Sequence, residues 1–423
     1  MTGRRVVVTG IGVVAPGGVG RKAFWECMTA GRSATRRITL FDSTGFRCHV
    51  AAEIDFRPAD HGLSPQEIRR MDRTAQFAVA ATKEALEDSG LSAAELDPER
   101  TGVSVGNAVG CTMGLEQEYV VMSDGGRKWV VDHEYAVPQA YDYFAPSSLA
   151  REVGWACHAE GPTAVVSSGC TSGIDALGYA ATLIREGSAD IVLAGSTDAP
   201  ISPITQACFD AIKATSTFND TPEAACRPFD NERRGLVLGE GSAMFVLETA
   251  ESARRRDAHV YCEIAGYAAR ANAFHMTGLK ADGRELAEAI DRALEQARIN
   301  PDQIDYINAH GSGTRQNDRH ETAAVKRSLG SRAYEIPMSS IKSMVGHSLG
   351  AIGSIEVAAC ALAIENNVVP PTANLTVPDP ECDLDYVPVT ARDHRTDVAL
   401  SVGSGFGGFQ SAIVVVGPEV MRP

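Results

Sequence analysis

Short runs of β-branched and small apolar residues recur along the chain at 5–14, 101–107, 163–167, 191–194, 242–248, 304–309, 336–341, 398–402 and 411–416. Most are continuously apolar, the pattern of strands buried on both faces. Between them lie stretches with helical spacing at 73–89, 171–185, 251–256, 283–297, 318–329 and 349–366. Strands alternating with helices predict an α/β protein. The first run follows Arg4-Arg5 and so has the outline of a signal peptide. It carries Thr9, Gly10 and Gly12, however, and ends at Pro16-Gly17-Gly18 without a small-x-small cleavage site. A buried strand followed by a turn is the better reading.

The chain also resembles itself. Residues 163–183 read TAVVSSGCTSGIDALGYAATL, and residues 336–364 read IPMSSIKSMVGHSLGAIGSIEVAACALAI. Each gives a β-branched strand, a glycine turn with one reactive side chain, and a helix rich in small residues. Gly-rich turns between strands recur at 235–248 and 401–416. This predicts two similar α/β halves, 1–250 and 251–423.

Composition narrows the function. The 423 residues are 44% hydrophobic and 22% charged, the mix of a folded globular protein. No run of 18 apolar residues occurs, so no membrane span is expected. Lys plus Arg total 39 against 54 for Asp plus Glu, a net charge of -15 that argues against nucleic-acid binding. None of the ten cysteines forms a C-x-x-C pair, so neither a zinc ribbon nor a secreted disulfide framework is expected, and a cytoplasmic location is.

Three residues share one local setting. Cys170, in SSGCTSG, follows a strand and opens a helix, where the helix dipole and free N–H groups favour a thiolate. His310, in NAHGSGT, and His347, in KSMVGHSLG, each follow a strand beside a glycine. Strand ends are where open α/β sheets bind ligands. Two competing patterns are weaker. GHSLG at 346–350 has the spacing of a nucleophile elbow on Ser348, but only His394 lies downstream to serve it. His310, Asp318 and His320 fit no helix-face metal pair, and no metal site is expected.

The stretches VVVTGIGVVAPGG at 6–18, SSGCTSG at 167–173, RPFDNERRGLVLGEG at 227–241, NAHGSGTRQND at 308–318, KSMVGHSLGAIG at 342–353 and GFGGFQ at 405–410 together resemble the β-ketoacyl synthase family of the thiolase superfamily. They run from the first strand to the last. GCTSGIDALGYA at 169–180, FDSTGFR at 41–47, AYDYFAPSSLA at 140–150 and the SGFGGFQ terminus are most similar to the ketosynthase α subunit of bacterial type II (aromatic) polyketide synthases. Fatty-acid β-ketoacyl synthases, the alternative, more often carry Thr-Asn where this chain has Phe409-Gln410.

The resemblance implies a thiolase-like fold, two similar βαβαβαββ halves in α-β-α-β-α layers. It implies decarboxylative Claisen condensation, with Cys170 carrying the acyl chain and His310 and His347 meeting the enolate from malonyl-carrier protein. The oxyanion hole would be the N–H groups of Cys170 and Phe406, with Gly405 and Gly407 freeing a gate at Phe406. Lys342 would organise the histidines and pair with Glu356, while Asp318 and Glu321 would be structural. No cofactor is expected on the chain itself, since phosphopantetheine arrives on the acyl carrier protein. Residues 161–169 lie on the family's dimer interface, so a heterodimer with a chain-length factor is implied; the companion subunit typically lacks the Cys that this chain has. The acidic carrier protein must find basic residues, and Arg69, Arg70 and Arg73, with Arg127 and Lys128, are the candidates.

Overall fold

A computed structural model describes residues 4–421. Its main sheet contains β1 (Val6–Ala15), β2 (Thr101–Gly106), β3 (Thr163–Val166), β4 (Ile191–Asp198), β5 (Gly241–Thr249), β6 (Cys262–Ala271), β7 (Tyr306–Asn308), β8 (Met338–Ser339), β9 (Val398–Gly405) and β10 (Phe409–Val416). The five longest helices among the described residues are α1 (Arg73–Ser89), α2 (Ser172–Glu186), α3 (Arg284–Ala297), α4 (Arg315–Leu329) and α5 (Ile352–Asn366).

The sheet repeats itself. Its first run is β1-β5-β4-β2-β3 and its second is β6-β10-β9-β7-β8. In each, the first two neighbouring pairs are antiparallel and the last two parallel. The runs join where β1 and β6 pair at Val7–Glu263 and Val8–Cys262. Residue 250 falls between β5 and β6.

Helices α1 and α3 cover the outer faces of the two runs, while α2 and α5 touch each other and strands of both. The layers are therefore α-β-α-β-α. α5 is buried from Ile352 to Ile364, which explains an apolar composition on all its sides. By length and hydropathy, 349–366 matches a membrane span, but it is the mostly buried core helix of the central layer.

The central helices approach closely because their facing residues are glycines. A Cβ on Gly173 would lie 2.4 Å from the Ser354 nitrogen, and one on Gly353 would lie 2.8 Å from the Ile174 nitrogen. The crossing brings the N-terminal ends of α2 and α5 side by side.

Three expectations change. β6 is absent from the hydropathy reading because Gly266 and four alanines dilute its β-propensity, so its pairing with β1 and β10 forms it. β8 is only Met338–Ser339: Pro337 has no N–H for the ladder, and the chain turns into a short helix at Lys342–Val345. α4 begins at Arg315 with Thr314 as N-cap, three residues before the expected start.

Gly173→Ala is expected to destabilise the protein by about 1–3 kcal/mol through overpacking. A chemical-unfolding midpoint equal to the parent's would show that the crossing has room.

Candidate active site

Cys170 is aimed by its turn. β3 ends at Val166, and Gly169 takes a φ of 64°, which glycine adopts without steric cost. A single 3₁₀ turn, Gly169–Thr171, then carries Cys170 directly onto α2. The second half repeats the device: a 3₁₀ turn at Leu349–Ala351 leads into α5, and Leu349 stands where Gly169 stands, with a φ of 49°. A left-handed leucine costs about 1–2 kcal/mol. It directs the Leu349 N–H at His347 Nδ1, 3.2 Å away. Nδ1 is thus the acceptor, and in the neutral ring the proton sits on Nε2.

The backbone of His347 is clamped on both sides. Its N–H donates to Val237 O at 2.8 Å, and its carbonyl accepts from Gly239 N–H at 2.9 Å. His310 leaves the end of β7, where its N–H donates to Glu321 Oε1 at 2.5 Å and the Gly311 N–H to Oε2 at 2.8 Å. Burial pushes the Glu321 carboxyl up to about 8 against the pull of those N–H groups. Glu321 stands on α4, as does Asp318. Asp318 accepts from the Phe229 N–H at 2.9 Å and pairs with Arg233 at 2.9 Å, and Arg233 also pairs with Asp379. Both acids accept hydrogen bonds from the loop after β7.

Lys342 is fully buried behind the histidines. Its ammonium donates to the carbonyl of His310 and to Glu356 Oε1 on α5. Burial raises the Glu356 carboxyl and Lys342 pulls it back down. The imidazoles of His310 and His347 stand 5.3 Å apart and nearly perpendicular. Burial first, then the Lys342 charge, holds both well below the ordinary histidine range, so both are neutral at physiological pH. They can donate hydrogen bonds to a developing anion without first losing a proton.

Cys170, His310, His347 and Phe406 line one cavity of about 420 Å³. Phe406 stacks on Phe209 with centroids 6.0 Å apart. It lies at the tip of the β9–β10 hairpin, between Gly405 and Gly407, the latter with a φ of 89°. A Cβ on Gly405 would lie 3.3 Å from the Cys170 nitrogen, so the hairpin rests directly on the Cys170 turn. Exposed Lys213, Arg234 and Arg315 also line the cavity.

Two expectations are corrected. Cys170 is not held as a thiolate. Burial pushes its pKa up to about 12, outweighing Lys342 and the hydrogen bond from the Phe406 N–H. Of the docking candidates, Arg73 is committed to Glu240 and Ile54 O, and Arg70 to Glu152, so neither guanidinium is free for a partner. Arg69 and Lys128 are exposed, and Arg127 is exposed beside Asp124.

The competing patterns do not assemble. Ser348 is buried with no partner for its hydroxyl among the described residues, and His394 bonds to Asp305 O. His320 Nδ1–H donates to Lys280 O at 2.6 Å, while Asp318 faces Arg233. Sequence reasoning missed Phe209, Lys213, Leu349 and the buried Asp198. The Asp198 carboxylate accepts from the N–H groups of Ala108, Val109 and Gly350 and from the Asn107 amide, tying the Leu349 turn to the end of β4. No motif marks these four: Phe209, Lys213 and Asp198 reach the site through contacts remote in sequence, and Leu349 acts through a backbone angle that its residue type does not announce.

With the Cys170 pKa near 12, its alkylation by iodoacetamide, followed by peptide mapping, should accelerate steadily from pH 7 to pH 10. A rate already at plateau at pH 7 would mean that the thiolate is the resting form.

Comparison with known proteins agrees with this geometry. Residues 3–253 match the family Beta-ketoacyl synthase, N-terminal domain, and residues 261–376 match Beta-ketoacyl synthase, C-terminal domain. The chain is 65% identical to the tetracenomycin polyketide synthase ketoacyl synthase alpha subunit of Streptomyces glaucescens, covering 99% of this chain and 98% of that one. It is 60% identical to the actinorhodin polyketide putative beta-ketoacyl synthase 1 of Streptomyces coelicolor, over 97% and 88%. To the 3-oxoacyl-[acyl-carrier-protein] synthase 2 of a Synechocystis strain it is 40% identical, over 96% of each. A solved complex of a type II polyketide synthase acyl-carrier protein with its ketosynthase bound to the hexaketide superposes with a TM-score of 0.92 at 39% identity, covering 98% of this chain and all of that one. The ishigamide ketosynthase/chain length factor gives a TM-score of 0.90 at 33% identity, over 98% and 100%. A thiol and two neutral imidazoles converging on one cavity, in a doubled five-strand sheet, are thus found in a chain that belongs to the β-ketoacyl synthase family.

Proposed function

We propose that this chain is the ketosynthase α subunit of a type II polyketide synthase, elongating a Cys170-bound chain by condensation with malonyl-acyl carrier protein. The observation that carries the chemistry is the shared cavity of Cys170, His310 and His347, with Leu349 fixing the proton of His347 on Nε2. In the first step Cys170 Sγ attacks the carrier-protein thioester, its proton passes to the departing carrier thiol, and the acyl group stays on sulfur. This splits one difficult reaction into two. The N–H groups of Cys170 and Phe406 meet the tetrahedral oxyanion, each worth about 3 kcal/mol. In the second step the malonyl thioester loses CO2, and the enolate oxygen takes hydrogen bonds from the two imidazoles. The enolate carbon then attacks the acyl-Cys170 carbonyl, and the Cys170 thiolate leaves and is reprotonated. Lys342 supports this from behind, by position and by keeping His310 neutral.

The polyketide reading is favoured over the fatty-acid one by 60–65% identity to polyketide subunits against 40% to the fatty-acid-type relative. A thiolase is disfavoured because its second cysteine has no counterpart in GSGFGG at 403–408. The partner would be a chain-length factor. β3 is one of the two strands that end the sheet. The preceding segment exposes Trp129, Tyr141 and Phe144 at 92%, 71% and 72%. A surface of this kind fits a partner subunit. All ten cysteines are free thiols, which supports a cytoplasmic location. No cofactor need reside on the chain, because the carrier protein's phosphopantetheine arm brings the reacting thioester. The docking set becomes Arg69, Arg127 and Lys128 together with Lys213, Arg234 and Arg315 at the cavity.

Cys170→Ala should abolish the acyl adduct seen by intact mass after incubation with an acyl-carrier protein. Full condensation by Cys170→Ser would refute the nucleophile assignment. His310→Ala should slow CO2 release from malonyl-carrier protein more than it slows acylation of Cys170. Lys213→Glu with Arg234→Glu should raise KM for the carrier protein by about tenfold and flatten its salt dependence, leaving kcat near the parent value. An unchanged KM would remove these residues from the docking surface.

A further inference from the structure

Asp175 lies in the first turn of α2, five residues after Cys170, and none of the chemistry above uses it. It is buried, yet its carboxylate is the meeting point of four hydroxyl groups. Oδ2 accepts from Ser168 Oγ and from Thr171 Oγ1, the latter at 2.8 Å. Oδ1 accepts from Tyr267 Oη at 2.9 Å and from Ser411 Oγ at 2.5 Å.

The two oxygens serve different halves of the molecule. Ser168 and Thr171 flank Cys170 in its turn. Tyr267 and Ser411 stand on the neighbouring strands β6 and β10. Ser411 is also five residues beyond Phe406, on the strand by which the gate hairpin returns to the sheet. A second buried bond, Ser404 Oγ to Gln410 Oε1 at 2.6 Å, closes that hairpin just above Ser411. Gly405 rests on the other side of the joint, where a Cβ would lie 3.1 Å from Ser168 O. The two N–H groups that face the oxyanion, of Cys170 and Phe406, therefore come from opposite halves. Their separation depends on how those halves are tied. Tyr267 is fixed in turn by packing, since its ring fills the place a side chain on Gly178 would occupy.

We propose that Asp175 is a positioning residue that sets the span of the oxyanion hole by tying the Cys170 turn to the strand bearing the Phe406 hairpin. This rests on the reading of Cys170 as the acylated nucleophile. It separates the two half-reactions. Acylation of Cys170 passes through the oxyanion, whereas decarboxylation depends on His310 and His347. Those are held by Glu321, Val237 and Gly239 and have no bond to Asp175.

The test is Asp175→Ala in the complex with the partner subunit. Acyl transfer from an acyl-carrier protein is followed by intact mass, and CO2 release from malonyl-carrier protein is measured in parallel. Acylation should fall roughly 10- to 100-fold, less than or comparable to the loss of a whole oxyanion donor, while CO2 release stays within about twofold. Equal losses in both would mark a general structural defect and overturn the proposal, as would unchanged acylation. Ser411→Ala and Tyr267→Phe keep the acid and the fold and remove one donor each. Each should slow acylation alone by about two- to tenfold, the scale of one hydrogen bond. If neither changes the ratio of the two half-reactions, the tie has no catalytic role. Failure of the parent protein to acylate at Cys170 would instead refute the functional reading itself.

Discussion

The contact on which the site depends is the crossing of two helices that meet at glycines. Gly173 and Gly353 let α2 and α5 approach until backbone touches backbone. Each helix is entered through a tight turn, one aiming Cys170 and the other orienting His347. Because the helices cross near their N-terminal ends, the two turns open into the same cavity. Larger residues at the crossing would push apart the thiol and the imidazole that line this cavity. The many alanines of α5 follow from the same constraint, since a helix enclosed by two sheet runs and a second helix has no solvent face.

Burial then decides the protonation of the site. Desolvation disfavours whichever form is charged. It keeps Cys170 a thiol and the two histidines neutral, although the common expectation for a cysteine at a helix start is the opposite. The buried Lys342 charge acts on all three in the same sense: it favours an anion at Cys170 and disfavours protonation of the imidazoles. The cavity is therefore poised for negative charge that appears only as the reaction proceeds. That is the condition under which preorganised donors contribute most.

Much of this was legible in the sequence because the relevant signals are local. Cys170, His310 and His347 announce themselves by glycine turns after apolar runs, and the repeated strand-turn-helix pattern anticipates the doubled sheet. The tied arginines were not legible. Arg70 and Arg73 read as a basic surface cluster, and only the fold reveals Glu152 and Glu240, 82 and 167 residues away, as their partners. Asp198 was hidden for the same reason, by a distant set of N–H groups, and Leu349 by a backbone angle that its residue type does not announce. β6 was lost because glycine and alanine mute its pattern, although its pairing joins the two halves. Periodicity detects elements that bury their own side chains, and it is weakest for those whose place is set by neighbours.

The edge position of β3 bears on how such a protein must be made. A strand with one unpaired side, beside a segment that exposes Trp129, Tyr141 and Phe144, is a template for any other strand it meets. Left uncovered, that edge would be presented to other copies of the chain, and aggregation would compete with folding. If the chain pairs with a second subunit as proposed, the supply of that partner would bear on its solubility as well as on its activity.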